Sequence, residues 1–73
     1  MNNYTKLKEA RKEFPIGSRY ISKITSSASI EIIGHSIGHS IAGTKIAIIH
    51  FEDKSGAKYS QPIEIFRSWF TNE

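Results

Sequence analysis

The sequence contains no cysteine, so neither a disulfide framework nor a thiolate metal site is available to it. The fold has to hold by packing alone, against itself, a copy or a partner. Long apolar runs are also missing. The longest, such as Ile46-Ala47-Ile48-Ile49, fall far short of the ~20 residues that span a bilayer, and no membrane association is expected. Met1 to Lys6 lacks the apolar stretch of a secretory signal, and the expected location is the cytoplasm. Aspartate occurs once, at Asp53, which thins the supply of metal ligands, and no phosphate-binding glycine loop is spelled. No cofactor is expected.

What is present is 73 residues, enough for a single domain over residues 1–73. A chain of this size buries only about 60% of its unfolded surface, which favours a contact surface over a deep catalytic cleft. At 38% hydrophobic and 23% charged residues, the composition is that of a globular domain rather than a disordered tail. The net charge of +3 is unevenly placed. The first 24 residues carry Lys6, Lys8, Arg11, Lys12, Arg19 and Lys23 against Glu9 and Glu13, whereas the remainder carries more acids than bases. The positive N-terminal third fits an anionic partner, either nucleic acid or an acidic protein face.

Residues 3–14 read as a short amphipathic helix, with Tyr4, Leu7, Ala10 and Phe14 at helical spacing. Asn3 or Thr5 is its candidate cap, and Pro15 ends it. Its charged side, with Lys8 and Lys12 one turn apart among glutamates, reads as a solvated face. Residues 17–60 read as a curved β-sheet. A first strand covers Ser18 to Thr25, with Tyr20, Ser22 and Ile24 on one side, and Thr25-Ser26-Ser27 forms a turn. A second β segment runs from Ala28 towards Ala42. Its apolar residues switch faces at Ile32-Ile33-Gly34, which predicts a bulge or sharp bend. After a turn at Ala42-Gly43-Thr44, Lys45 to Glu52 is the clearest strand, with Ile46 and Ile48 facing one way and Ile49 and Phe51 the other. Asp53-Lys54-Ser55-Gly56 is a hairpin signal, followed by a last strand from Ala57 to Ser60. Residues 61–70 read as a short closing helix, capped near Ser60 or Gln61, with Pro62 in its first turn and Ile63, Phe66 and Phe70 on one stripe beside Trp69. The expected class is α+β, mainly β: a strongly curved antiparallel sheet or half-open barrel of the SH3 or Tudor type, with a helix at each end. This likeness is one of architecture.

The unusual feature is a tandem repeat, Gly34-His35-Ser36-Ile37 followed by Gly38-His39-Ser40-Ile41. On a helix the two histidines would chelate a metal, but glycine at 34 and 38 is poor helix material. On a strand they lie about 13 Å apart, too far to share an ion, and His50 from a neighbouring strand can reach only one of them. His35 beside Ser36 makes no nucleophile–base pair, because strand neighbours point to opposite faces. Read as a strand, the repeat has one face of Ile33, His35, Ile37, His39 and Ile41 and another of Gly34, Ser36, Gly38 and Ser40. The plain reading packs the isoleucines into the core and lets a neighbouring element approach the small residues. The sharper reading makes Gly34, His35, Ser36, Gly38, His39 and Ser40 a partner-binding edge that accepts an added strand. A histidine row there would also make binding sensitive to pH near about 6.5.

The chain is therefore expected to be a non-enzyme that binds a larger protein or protein complex, by analogy with phage and mobile-element proteins that inhibit bacterial nucleic-acid enzymes. Direct nucleic-acid binding is the alternative, with Lys6, Lys8, Arg11, Lys12, Arg19 and Lys23 on phosphates and Tyr20, Tyr59 or Trp69 as stacking platforms. A homo-oligomer built on the edge of the repeat is the third.

Overall fold

The computed structural model describes residues 3–23 and 29–72. Helix α1 (Asn3–Glu13) leads into β1 (Arg19–Ser22), followed by β2 (Ser29–His39), β3 (Lys45–Asp53), β4 (Lys58–Pro62), α2 (Ile63–Trp69) and β5 (Phe70–Asn72). The five strands form one antiparallel sheet in the order β4-β3-β2-β1-β5. The class is α+β, mainly β, and the sheet is not closed into a barrel. No helix among the described residues is long and apolar enough to cross a membrane.

Both helices pack on one face. Ala10 and Phe14 of the α1 segment and Phe66 of α2 are buried with Tyr20, Ile30, Ile32, Ala47, Ile49 and Phe51. Phe66 is the hub, with ring centroids 5.0 Å from Phe14, 5.5 Å from Tyr20 and 5.3 Å from Phe51. Such edge-on aromatic pairs add about 0.5–1.5 kcal/mol each beyond burial alone. In so thin a domain they hold the helices to the sheet.

The predicted bend in the second β segment is present. The register of β2 on β3 shifts between Ile32 and Gly34, leaving Ile33 as the extra residue of a bulge. Ile30 and Ile32 before it, and His35 and Ile37 after it, thereby all face the helices, with Ile32 opposite Phe51, His35 opposite Ile49 and Ile37 opposite Ala47. Gly43 and Gly56 take φ of 85° and 88° at the β2–β3 and β3–β4 turns, a conformation only glycine adopts freely. The second turn is fixed by Asp53, whose carboxylate accepts bonds from the Ser55 and Ala57 amides at 2.9 and 3.1 Å.

Several boundaries differ from the sequence expectation. β1 ends at Ser22, and the expected continuation to Thr25, the Ser26-Ser27 turn and the Ala28 start of β2 lie outside the described residues, as do the side chains of Asn3, Tyr4 and Thr5. β2 stops at His39, so Ile41 sits on the hairpin turn, fully exposed, rather than on the Ile33–His39 row. β4 continues through Pro62, which precedes α2 with an extended ψ of 145° and no side-chain cap. Its missing N–H is harmless on an edge strand. Phe70 leaves the helix and opens β5, which pairs with β1 through Ser22 opposite Phe70 and Tyr20 opposite Asn72. The stripe at 63, 66 and 70 is apolar because Phe70 packs on Phe66, with centroids 4.7 Å apart, from a strand rather than a helix.

Candidate functional site: the repeat, its open edge and the bare sheet face

The repeat runs from the half of β2 beyond the bulge, Gly34 to His39, into the hairpin turn with Ser40 and Ile41. Because side chains alternate along a strand, Gly34, Ser36 and Gly38 face away from the helices, opposite His50, Ile48 and Ile46 of β3. Gly38 is where a β3 side chain leans across, whereas Gly34 leaves ordinary room. A Cβ at Gly38 would meet Ile48 Cγ1 at 3.2 Å, and one at Gly34 would meet His50 Cβ at 3.9 Å. Close approach to a small residue is thus seen at Gly38 and not at Gly34.

His50 ties the bare face together. Ser36 Oγ lies 2.7 Å from its Nε2 and Ser60 Oγ lies 2.7 Å from its Nδ1, so one imidazole links β2, β3 and β4. Sequence reasoning missed this pair. Its signal was the antiparallel register, which brings residues 36 and 50 together only once the bulge is placed. Gly34-x-Ser36-x-Gly38 also has the spacing of a hydrolase nucleophile elbow, although the sequence reading takes no such motif to be present, and on that point it is wrong. That elbow needs a sharp strand-to-helix turn to raise the serine, whereas Ser36 sits within a regular strand, paired with Ile48. The second imidazole nitrogen meets a serine hydroxyl, not the carboxylate that orients the base in a triad.

His35 and His39 point to the other face. His35 Nε2 donates to the Phe14 carbonyl at 2.6 Å, satisfying a group at the end of α1 and fixing the tautomer. His39 is exposed at the end of β2. Among the described residues no three histidine, cysteine, aspartate or glutamate side chains gather as a metal site. Ser40 shapes the hairpin, its Oγ accepting from the Thr44 amide at 3.2 Å. The six residues expected to form one partner surface are therefore split between two faces and a turn.

What they share is an edge. β1 pairs with β2 only from Ser29 to Glu31, with Gly17 and Ser18 adding backbone bonds to Ile32. From Ile33 to His39, β2 is paired on its β3 side, and no described strand lies on the other. The Ile32 N–H and C=O both point towards β1. Antiparallel alternation across the bulge then assigns Gly34, Ser36 and Gly38 to the β3 ladder and turns the backbone groups of His35, Ile37 and His39 outward.

The six basic residues of the N-terminal third are likewise not one patch. Lys6 Nζ donates to the Lys45 carbonyl, Lys23 Nζ donates to the Arg67 carbonyl at 3.1 Å, and Arg19 pairs with Glu31 at 3.4 Å on the bare face. Lys8, Arg11 and Lys12 are exposed on α1 and make no ion pair among the described residues. Of the expected stacking platforms, Tyr20 is buried. Tyr59 stacks on Phe51 and donates to Asp53 at 3.0 Å, which lifts its hydroxyl above the ordinary tyrosine pKa. Trp69 stays half exposed.

A groove of about 420 Å³ runs between the helices and the start of β3, floored by Ile46, Ala47, Ile63 and Ile65 and rimmed by Lys6, Glu9, Glu64 and Arg67. Its rim carries both signs of charge and selects no ligand. Comparison with protein families, curated proteins and solved structures finds no match, so function has to be read from these residues themselves.

Proposed function

We propose that the chain is a small non-catalytic module that binds a larger protein or protein complex, and that it works in the cytoplasm. The observation that carries the reading is the open edge of β2 from Ile33 to His39, which holds the repeat and leaves three residues' worth of backbone donors and acceptors unpaired by any described strand. Unpaired edges are templates for another chain, and proteins that do not use them keep them short or covered. We also take the sheet as a half-open barrel of the SH3 or Tudor type, in which α2 bridges the two edge strands β4 and β5. An inhibitor of a nucleic-acid enzyme, of the kind phages and mobile elements make, fits this build by analogy alone.

Affinity capture with the purified chain, with and without nuclease treatment of the lysate, tests the reading. Retention of a protein partner after nuclease is the expected result. Loss of every partner on nuclease treatment moves the function to nucleic acid. Labelling of Ser36 by a fluorophosphonate probe, abolished by His50→Ala, would show that Ser36 and His50 do chemistry and would overturn the non-catalytic half.

A further inference from the structure

Resting on the reading of the chain as a protein-binding module, we infer that its partner contributes an extended, acidic segment that adds as a strand along the open edge of β2, over residues 33–39. The edge is about 20 Å long at the usual rise per residue, room for a guest of five to seven residues. The guest would continue the line of β1, which stops where Pro15-Ile16-Gly17 turns the chain up into α1. Gly17 takes a φ of 91° in that turn. Two isoleucines stand at the ends of the vacant lane by chain position. Ile16, beside the turn, is 65% exposed, and Ile41, two residues past His39, is fully exposed.

The acidic character follows from α1. Its side with Lys6 and Glu13 faces β3 and α2, because Lys6 reaches the Lys45 carbonyl and Glu13 holds Arg67. Ala10 is buried against the sheet. The 100° step of a helix then places Arg11 on the opposite flank, above the open edge, with Lys8 and Lys12 turned outward to solvent behind it. Every second side chain of an added strand would point at this flank, and carboxylates there would meet Arg11 directly, within the positive field of Lys8 and Lys12. The same cations argue against a second copy as the guest. Antiparallel pairing of β2 with β2 would put both α1 helices on one side of the seam and bring their Lys8-Arg11-Lys12 stripes together, and such like-charge opposition is a common guard against self-association.

The probe is a fluorescein-labelled ten-residue peptide of alternating glutamate and valine, with alternating lysine and valine as its counterpart, titrated into the full chain by anisotropy. Saturable binding of the glutamate peptide alone is expected. The triple variant Lys8→Glu, Arg11→Glu, Lys12→Glu, with unchanged circular dichroism, should bind about tenfold more weakly, as the loss of three exposed charge pairs implies. Amide exchange read by NMR localises the guest. His35, Ile37 and His39 should exchange faster than Ser36 and Gly38 in the free chain and become protected in the complex. Equal binding of both peptides, protection elsewhere, or no binding overturns the inference. If the peptide fails while nuclease-resistant capture persists, the strand-addition site falls and the protein-binding reading stands. If capture fails as well, both fall.

Discussion

At the scale of single residues, the two glycines of the repeat separate by what lies above them. Gly34 has room for a methyl group, its nearest neighbour being His50 Cβ at 3.9 Å, whereas a Cβ at Gly38 runs into Ile48 at 3.2 and 3.3 Å. Neither takes a positive φ, so backbone strain does not enter. Gly34→Ala should stabilise the chain by about 0.4–1 kcal/mol through the entropy of the unfolded state. Gly38→Val, whose branches must displace Ile48, should cost about 1–3 kcal/mol as overpacking does. Urea midpoints of the two variants against the parent decide it, and equal shifts would mean that Ile48 does not sit over Gly38. His50 is a second test at this scale. Replacing it with alanine strips Ser36 and Ser60 of their common partner. Two net hydrogen bonds of about 0.5–1.5 kcal/mol each set the expected loss, which thermal unfolding measures.

At the scale of elements, what could be read from the sequence was whatever shows as periodicity or as glycine. The face switch at Ile32-Ile33-Gly34 located the bulge because a register change must invert the apolar pattern, and Gly43 and Gly56 located the β2–β3 and β3–β4 turns. β5 was not legible. Its three residues follow a helix without any break in the apolar stripe, and only pairing with β1, nearly fifty residues earlier, makes Phe70 extended. The sites were less legible than the fold. His35 spends its ring on the end of α1, and Lys6, Arg19 and Lys23 spend their charges within the chain, which composition cannot reveal. The contact between the helices is a similar case. Arg67 of α2 grips Glu13 of α1 through two of its guanidinium nitrogens, Nε at 2.7 Å and Nη2, and chiefly these bonds hold the Glu13 carboxyl below its ordinary pKa of 4.5, against a smaller opposing effect of burial. A carboxylate lowered in the folded state adds stability that is complete above about pH 4.5 and is lost as pH falls through the lower folded value. Both side chains are more than a third exposed, so the contribution is at most about 1 kcal/mol. Glu13→Gln should therefore unfold more readily than the parent at neutral pH, with the gap closing in acid. A gap that is constant with pH would show that the pair does not hold the helices.

At the scale of the whole molecule, the separation of the basic residues sets what a nucleic-acid reading has to predict. A net charge of +3 tells nothing of how many cations a phosphate chain can reach. Three of the six N-terminal cations already serve the fold, and the free ones, Lys8, Arg11 and Lys12, form one short stripe on α1. Neutralising three phosphates on a single strand predicts a slope of log affinity against log salt of about −2, and engaging all six would give about −4. With Tyr20 buried and Tyr59 held between Phe51 and Asp53, half-exposed Trp69 is what remains of the three expected platforms. Binding of a labelled single-stranded oligonucleotide should accordingly stay within the non-specific range of about 10⁻⁴ to 10⁻⁶ M at physiological salt and should vanish in the Lys8→Glu, Arg11→Glu, Lys12→Glu variant. Anisotropy titrations across a salt series read both quantities. Tighter binding with a slope near the six-cation value would mean that Lys6, Arg19 and Lys23 leave their partners to meet phosphate, and nucleic acid, not a protein strand, would then be what this surface is built to hold.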